Sequence, residues 1–143
     1  MRGTEALART REPAQGPPAG YELSYQVLAM PANTNAAGDV FGGWLMAQVD
    51  LAGSVLAVRE ARGRVATVAV REFRFLCPVR VGDLVRCYTR VEAVGHSSLT
   101  LHTEVQAAPQ LDQQARRRVA EATLVYVALD DDGRPREVHE RAS

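Results

Sequence analysis

The chain has no lysine, and its charge is balanced. All 17 basic residues are arginine, and 17 acidic residues bring the formal net charge to zero. Because no charge of one sign dominates, the composition gives no reason to expect a nucleic acid or an anionic membrane surface as a partner. No run approaches the roughly 18 apolar residues of a membrane-spanning helix, and the N-terminus lacks the apolar stretch of a signal peptide. We therefore expect neither a nucleic acid nor a membrane among its partners.

Cysteine is scarce, and several site motifs are absent. Cys77 and Cys87 are too few for a disulfide framework, and their spacing differs from that of a zinc-binding pair. We therefore expect free thiols, a reducing compartment and a cytoplasmic location. Clustered metal ligands are missing, so no metal is expected. The sequence also lacks the glycine motifs that bind nucleotide phosphates and the G-x-S-x-G motif of common serine hydrolases.

The composition that remains is typical of one globular domain. The chain has 143 residues, of which 46% are hydrophobic, and this is enough for a real core. Residues 1–20 mix charge with proline and glycine, which predicts a flexible N-terminal arm. The domain itself is predicted to span residues 21–135. Residues 136–143 are predicted to form a polar C-terminal tail.

One long helix is predicted from about Gly43 to Glu60, with Gly63 suited to a left-handed cap. The helix is apolar and rich in small residues, which is typical of a helix closely enclosed by other elements. Segments with strand-like composition surround it in the chain. The predicted strands are residues 21–29, 65–76, 83–94, 97–108 and 119–130. An antiparallel sheet curled around one central helix satisfies this order, so the predicted fold class is α+β.

Asp50 is the only charged residue of the helix between Trp44 and Val58. Burial of an unpaired carboxylate is costly, so an isolated buried acid is a candidate functional group. One alternative is a carboxylate that only hydrogen-bonds neighbouring backbone. Another is an exposed stripe of the helix, which the small and apolar helical neighbours of Asp50 disfavour. We therefore take Asp50 as the first candidate for chemistry.

Gly42 and Gly43 lie where the helix begins. Free backbone N–H groups and the absence of side chains there suit an oxyanion hole, whereas the alternative is that the glycines only permit a tight turn. Asp50 follows Gly43 by seven residues, about 10 Å along the helix axis. Both groups can act on one substrate only if the helix start of a second chain approaches Asp50. On that premise, the sequence predicts a homodimer with shared sites.

Two stretches carry a family resemblance: residues 30–50 are MPANTNAAGDVFGGWLMAQVD, and residues 63–83 are GRVATVAVREFRFLCPVRVGD. The chain resembles the hotdog-fold acyl-CoA thioesterases over roughly residues 22–135, and among them the bacterial YciA-type branch of the acyl-CoA hydrolases. The resemblance implies the hotdog fold and hydrolysis of fatty acyl-CoA. No cofactor is implied, because the coenzyme A thioester is the substrate. The resemblance also implies a hotdog dimer, with three dimers forming a hexamer.

The resemblance also implies catalytic residues by position. It pairs Asp50 on the helix of one subunit with Asn35 in the loop before the helix of its partner. The N–H of Gly43 is implied to polarise the thioester carbonyl. Asp50 is then either a general base for water or a nucleophile that forms a transient anhydride, while Asn35 orients the water or the carbonyl. Asp39, just before the helix, suits capping of free N–H groups, with catalysis as the alternative.

The resemblance further implies that coenzyme A lies along the strand 65–76, with its pantetheine amides paired to backbone. The candidate substrate-binding residues are Gly42, Val68, Ala69, Arg71, Ser97 and Ser98. Arg71, Arg74 and the arginines 116–118 are candidates for the phosphates. Alternating arginines on a strand are also typical of a solvated face, and 116–118 is also interpretable as a charged connection within a polar segment, so these assignments stay open.

Two rival functions are weighed against a thioesterase. A hotdog dehydratase needs a histidine and an acid at its site, and none of His96, His102 and His139 adjoins the helix start in the sequence. The second rival is a non-catalytic acyl-CoA-binding module that senses its ligand, usually joined to a DNA-binding segment. The N-terminal arm is too short and proline-rich for a helix-turn-helix. The presence of Asp50 and Asn35 also favours turnover.

Overall fold

The computed structural model describes residue 14 and residues 16–140. Within these residues, one long helix and five strands follow each other in the chain. The elements are β1 (Glu22–Leu28), a short 3-10 turn (Pro31–Asn33), α1 (Gly42–Ala61), β2 (Val65–Phe75), β3 (Asp83–Val94), β4 (Ser98–Pro109) and β5 (Arg117–Ala128). Each predicted element is present, and its bounds agree with the sequence prediction to within two residues. None of the helices in this part of the chain combines the length and hydropathy that crossing a membrane requires.

The strands form one sheet in the order β1-β3-β4-β5-β2. All four neighbouring pairs are antiparallel. β2 follows the helix in the chain but pairs only with β5, so it forms one edge of the sheet. The predicted α+β class with an antiparallel sheet is confirmed.

Helix α1 packs against this sheet through one face. The buried residues of the helix are Leu45, Gln48, Val49, Ala52, Gly53, Leu56, Ala57 and Ala61. They meet a core contributed by the strands, including Leu99, Val105 and Tyr126. The opposite face of the helix is also apolar, but it is exposed in the single chain. The prediction of a helix enclosed nearly all round is therefore met on one side only.

The C-cap residue that follows the helix is Arg62, which is in the left-handed conformation (φ 53°). The prediction that Gly63 provides this cap is wrong. Gly63 is needed for a different reason, because a Cβ there would lie 2.7 Å from Nη2 of Arg136. The same Nη2 donates a 2.7 Å hydrogen bond to the carbonyl of Ala61. Arg136 thus satisfies a free carbonyl at the end of the helix.

The structure describes only part of the predicted N-terminal arm and of the predicted C-terminal tail. Residues 1–13, 15 and 141–143 lie outside the described residues. At the N-terminal end, the carbonyl of Gly16 accepts a 2.8 Å hydrogen bond from the side chain of Gln106. At the C-terminal end, Val138 is buried in the core. The domain boundaries stay predictions.

A buried ion pair joins the beginnings of β3 and β5. Nη2 of Arg117 lies 2.6 Å from Oδ2 of Asp83, and both side chains are almost fully buried. Nη2 of Arg117 also donates to the carbonyl of Pro78 at 2.8 Å, and the N–H of Arg80 donates to Asp83. Arg117 is therefore a structural residue inside the domain, so the sequence interpretation that places it in a polar connection or a phosphate site is wrong.

Candidate active site

The loop before α1 is held together by the side chain of Asn35. Its Oδ1 accepts hydrogen bonds from the N–H groups of Ala37 (2.9 Å) and Asp39 (3.2 Å). Its own N–H donates to the carbonyl of Asp39. The side chain is exposed, and its amide nitrogen has no partner among residues 16–140. Because the oxygen is already used by the loop, Nδ2 is the group that Asn35 can offer to a ligand.

Asp39 does not cap the helix. The N-cap residue of α1 is Phe41, and no side chain makes a capping hydrogen bond there. Asp39 instead forms a backbone bridge with Arg80, two positions before the cap. Its Oδ1 is buried and has no hydrogen-bond partner in the described part of the chain. The capping role predicted for Asp39 is therefore wrong, since the backbone bridge keeps Asp39 outside the first helical turn.

The two glycines at the helix start have different surroundings. A Cβ on Gly42 would lie 3.2 Å from the ring of Phe75, so Gly42 lets that ring pack against the helix. A Cβ on Gly43 would meet no atom within 4 Å, and the residue is exposed. The N–H of Gly43 belongs to the first turn, where backbone donors have no partner within the helix. Gly43 therefore presents an open donor.

Asp50 is half-buried in the middle of α1 and is held at two points. The hydroxyl of Thr67, on β2, donates a 2.6 Å hydrogen bond to Oδ1 of Asp50. The hydroxyl of Tyr126, on β5, donates a 2.7 Å hydrogen bond to the backbone carbonyl of Asp50. Oδ2 accepts no hydrogen bond from a described residue, although the Tyr126 hydroxyl also interacts with the Asp50 carboxylate. The carboxylate is thus oriented through one oxygen, while the other remains available for a proton or an electrophilic carbon.

A cavity of about 280 Å³ lies beside the helix start. It is lined by Asp39, Val40, Phe41, Gly42, Leu45, Phe75, Cys77, Pro78 and Val79. Most of these side chains are apolar, and Asp39 is the one acidic residue among them. An apolar cavity next to an open backbone donor can hold a hydrocarbon chain whose carbonyl rests on that donor. The described contacts do not bring Asn35 or Gly43 of the same chain to Asp50.

Comparison with known proteins decides the family. Residues 37–112, more than half of the chain, match the family model of the thioesterase superfamily. This chain is a member of the thioesterase superfamily. The match covers the whole of α1 with Asp50, and the whole of β2, β3 and β4. The family resemblance drawn from the sequence is confirmed.

Relatives and solved structures agree with the family. Acyl-CoA thioester hydrolase YciA of Salmonella typhimurium is 48% identical over 117 residues, covering 80% of this chain and 88% of that protein. A hexameric thioesterase from Yersinia pestis has a TM-score of 0.78 and 52% identity, covering 84% of this chain and 96% of that one. A hexameric hotdog fold thioesterase of Campylobacter jejuni has a TM-score of 0.78 and 34% identity, covering 84% and 92%. The predicted hotdog fold is confirmed.

Apart from Gly42 at the start of α1, the substrate-binding candidates of this thioesterase-family chain lie on β2 and at the β3–β4 turn. Val68 and Arg71 have no partner in the ladder, because the register with β5 shifts at each of them. Both are exposed, as is Ala69. Ser97 and Ser98 are half-buried. The carbonyl of Ser98 accepts a backbone hydrogen bond from Gly95 within the turn, whereas that of Ser97 accepts one from Ala128 on β5. The binding role of each candidate stays a prediction.

Other ligand and catalytic possibilities find no support in the described part of the chain. No group of three or more His, Cys, Asp and Glu side chains there is arranged to hold a metal ion. His102 accepts or donates a 2.6 Å hydrogen bond with Tyr21, and His139 lies 3.4 Å from Glu60. No histidine contact with Asp50 is present among these residues. The histidine–acid contact that is present, between His139 and Glu60, lies in the last turn of α1 and away from the helix start where a dehydratase site would need it.

The sequence missed Thr67 and Tyr126, although both hold Asp50. Each lies far from Asp50 in the chain, and only the sheet brings them together. Thr67 and Tyr126 are partners in the β2–β5 ladder, so their side chains point to the same face. Strand alternation alone does not identify that face for β2, because two register shifts interrupt it. The one signal in the sequence that could have identified Thr67 is its place near the start of β2, the strand that runs back along the helix.

Proposed function

We propose that this chain hydrolyses acyl-CoA thioesters to a free acid and coenzyme A. One observation carries the proposal: Asp50 has one carboxylate oxygen fixed by Thr67, while the other accepts no hydrogen bond from a described residue. This is the arrangement that a general base or a carboxylate nucleophile needs. The 48% identity to an acyl-CoA thioester hydrolase supports the substrate class.

A second copy of the chain completes the proposed site. Exposed apolar side chains lie on α1, before and after Asp50, and on the edge strand β2. They are Met46, Leu51, Val55, Val58, Val68, Val70 and Phe75. An exposed apolar patch of this composition is typical of an interface. The partner would bring Gly43 and Asn35 to Asp50. Since the Yersinia and Campylobacter relatives are hexameric, we propose a trimer of such dimers.

In the proposed reaction, the thioester carbonyl oxygen accepts a hydrogen bond from the N–H of Gly43. This donor stabilises the negative charge that develops as the carbonyl carbon is attacked. Oδ2 of Asp50 removes a proton from the attacking water, and Nδ2 of Asn35 holds the water or the carbonyl. The C–S bond then breaks, and the coenzyme A thiolate leaves and takes up a proton. In the alternative route, Oδ2 attacks directly and water hydrolyses the resulting anhydride.

Coenzyme A is proposed to lie along the exposed edge of β2. The register shifts leave Val68 and Arg71 outside the ladder, and a bulged residue has backbone groups that its strand neighbour does not use. We propose that Val68 and Ala69 pair with the pantetheine amides, and that Arg71 meets a phosphate. Ser97 and Ser98 contact the coenzyme at the neighbouring turn, and Gly42 leaves room for the acyl group.

We also propose that the protein works in the cytoplasm. Both cysteines are free and buried, which fits a reducing compartment. Burial raises the pKa of the Cys87 thiol to about 12. The thiol is therefore protonated at neutral pH and acts as a packing residue, not as a nucleophile.

The substrate class is tested by free thiol release from acetyl-, hexanoyl- and palmitoyl-CoA. The matched control substrate is hexanoyl-N-acetylcysteamine, which keeps the thioester but lacks the nucleotide. We expect kcat/KM for hexanoyl-CoA to exceed that for the control by at least about tenfold, because binding energy from the nucleotide lowers the barrier. Acyl-CoA binding without turnover would instead support the sensing module. Absence of both binding and turnover would contradict the proposal.

A further inference from the structure

Tyr126 is a fully buried residue whose hydroxyl contacts the candidate catalytic residue. The side chain is 0% exposed, and the hydroxyl donates its hydrogen bond to the carbonyl of Asp50 at 2.7 Å. Burial, and then the negative charge of the Asp50 carboxylate, raise the pKa of Tyr126. The hydroxyl therefore stays protonated at neutral pH and remains a hydrogen-bond donor.

Tyr126 and Thr67 bind the backbone and the side chain of the same residue, Asp50. They are directly opposite each other in the β2–β5 ladder, and both side chains face α1. Thr67 binds the carboxylate of Asp50 and Tyr126 binds its backbone carbonyl. One row of the sheet thus fixes the main chain and the side chain of Asp50 together, and this leaves little freedom for rotation about the bonds between them.

Gly53 is the position that allows this contact. A Cβ there would lie 2.3 Å from the Tyr126 hydroxyl oxygen and 2.9 Å from two ring carbons. Glycine in the middle of a helix is destabilising relative to alanine, so its presence in α1 needs a local reason. The close approach of the Tyr126 ring, one turn after Asp50, supplies that reason.

We infer that Tyr126 is a positioning residue for thioester hydrolysis, which acts by holding the backbone of Asp50 so that Thr67 keeps the carboxylate in one orientation. The inference rests on the proposed function, because it assigns Tyr126 a role in that reaction. Tyr126 acts through Asp50 and not on the substrate itself. Its hydroxyl determines where the free oxygen of Asp50 points, and a misplacement of about 1 Å is enough to slow a reaction strongly.

The test uses Tyr126→Phe, which keeps the buried ring and removes only the hydroxyl. We expect kcat for hexanoyl-CoA to fall about tenfold, with KM within about twofold of wild type. Tyr88→Phe is the matched control, since Tyr88 is also buried and its hydroxyl accepts a hydrogen bond from Arg116, with no contact to Asp50 among the described residues. We expect this control to keep the wild-type kcat. Gly53→Ala, which pushes a methyl group against the same hydroxyl, should reproduce the loss.

Two further measurements separate positioning from a general structural effect. In an Asp50→Asn background, Tyr126→Phe should cause no additional loss, since its action passes through Asp50. A crystal structure of Tyr126→Phe should show Asp50 in a changed or multiple conformation, without the Thr67 bond. An additive loss, or an Asp50 unmoved and still bonded to Thr67, overturns the inference. The crystal structure tests whether Tyr126 positions Asp50 even if the wild type hydrolyses no acyl-CoA. Absence of hydrolysis by the wild type would overturn the proposed function and not the positioning of Asp50.

Discussion

We expect Asp50→Asn to lower kcat for acyl-CoA hydrolysis by about a thousandfold. The amide oxygen of asparagine can still accept the hydrogen bond from Thr67, so the side chain keeps its place on the helix. An amide cannot take a proton from water, and it is a poor nucleophile. The loss therefore reports the chemistry of the carboxylate. Free thiol release from hexanoyl-CoA measures it, with size-exclusion chromatography to establish that the assembly is unchanged.

The matched control for this prediction is Asp112→Asn. Asp112 lies on an exposed connection between β4 and β5, so the same chemical change there should leave kcat as in wild type. If Asp50→Asn retains full activity, Asp50 has no part in the reaction. Asp39, whose Oδ1 is buried without a partner in the described chain, would then be the acid to replace next.

The largest expected effect on stability comes from Asp83→Asn. This change removes the negative partner of Arg117, which then keeps a buried charge with no counter-charge. Breaking a buried ion pair in this way costs about 3–5 kcal/mol. For a chain of this length, we expect Tm to fall on the order of 10 °C. Thermal unfolding followed by circular dichroism measures the shift.

Glu22→Gln provides the comparison for a surface pair. Glu22 makes a bidentate contact with Arg59, but both side chains are largely exposed. Solvent screens such pairs, and they contribute little to stability, so we expect almost no change in Tm. Equal Tm shifts for Asp83→Asn and Glu22→Gln would show that burial of the Asp83–Arg117 pair is not what stabilises the fold.

Much of the fold was predictable because its signals are local. The apolar segment with many small residues fixed the helix to within one residue at each end, and alternating segments located the strands. Asp50 stood out because it is the lone charge in that apolar segment. The left-handed residue was misassigned to Gly63, because glycine is the usual residue at such a position. The actual reason for glycine at 63 is its close contact with Arg136, which is visible only in three dimensions.

The surroundings of Asp50 were not predictable from the sequence. Thr67 and Tyr126 reach it through the sheet, from 17 and 76 positions away in the chain. Two register shifts in β2 also prevent simple alternation from showing which residues face the helix. The exposure of the apolar face of α1 was not predictable either, because we propose that a second chain covers this face. Local patterns identify candidate groups, whereas their partners depend on tertiary and quaternary contacts.

The central claim is that Asp50 of one chain works with Asn35 and Gly43 of another. Co-expression of Asp50→Asn with Asn35→Ala tests it most directly, because each mixed dimer then contains one site with both wild-type residues. With random pairing, about one quarter of all sites are intact. We predict activity of about one quarter of wild type in the co-expressed protein, well above that of either variant alone. Activity no higher than that of the single variants would contradict a site shared between chains.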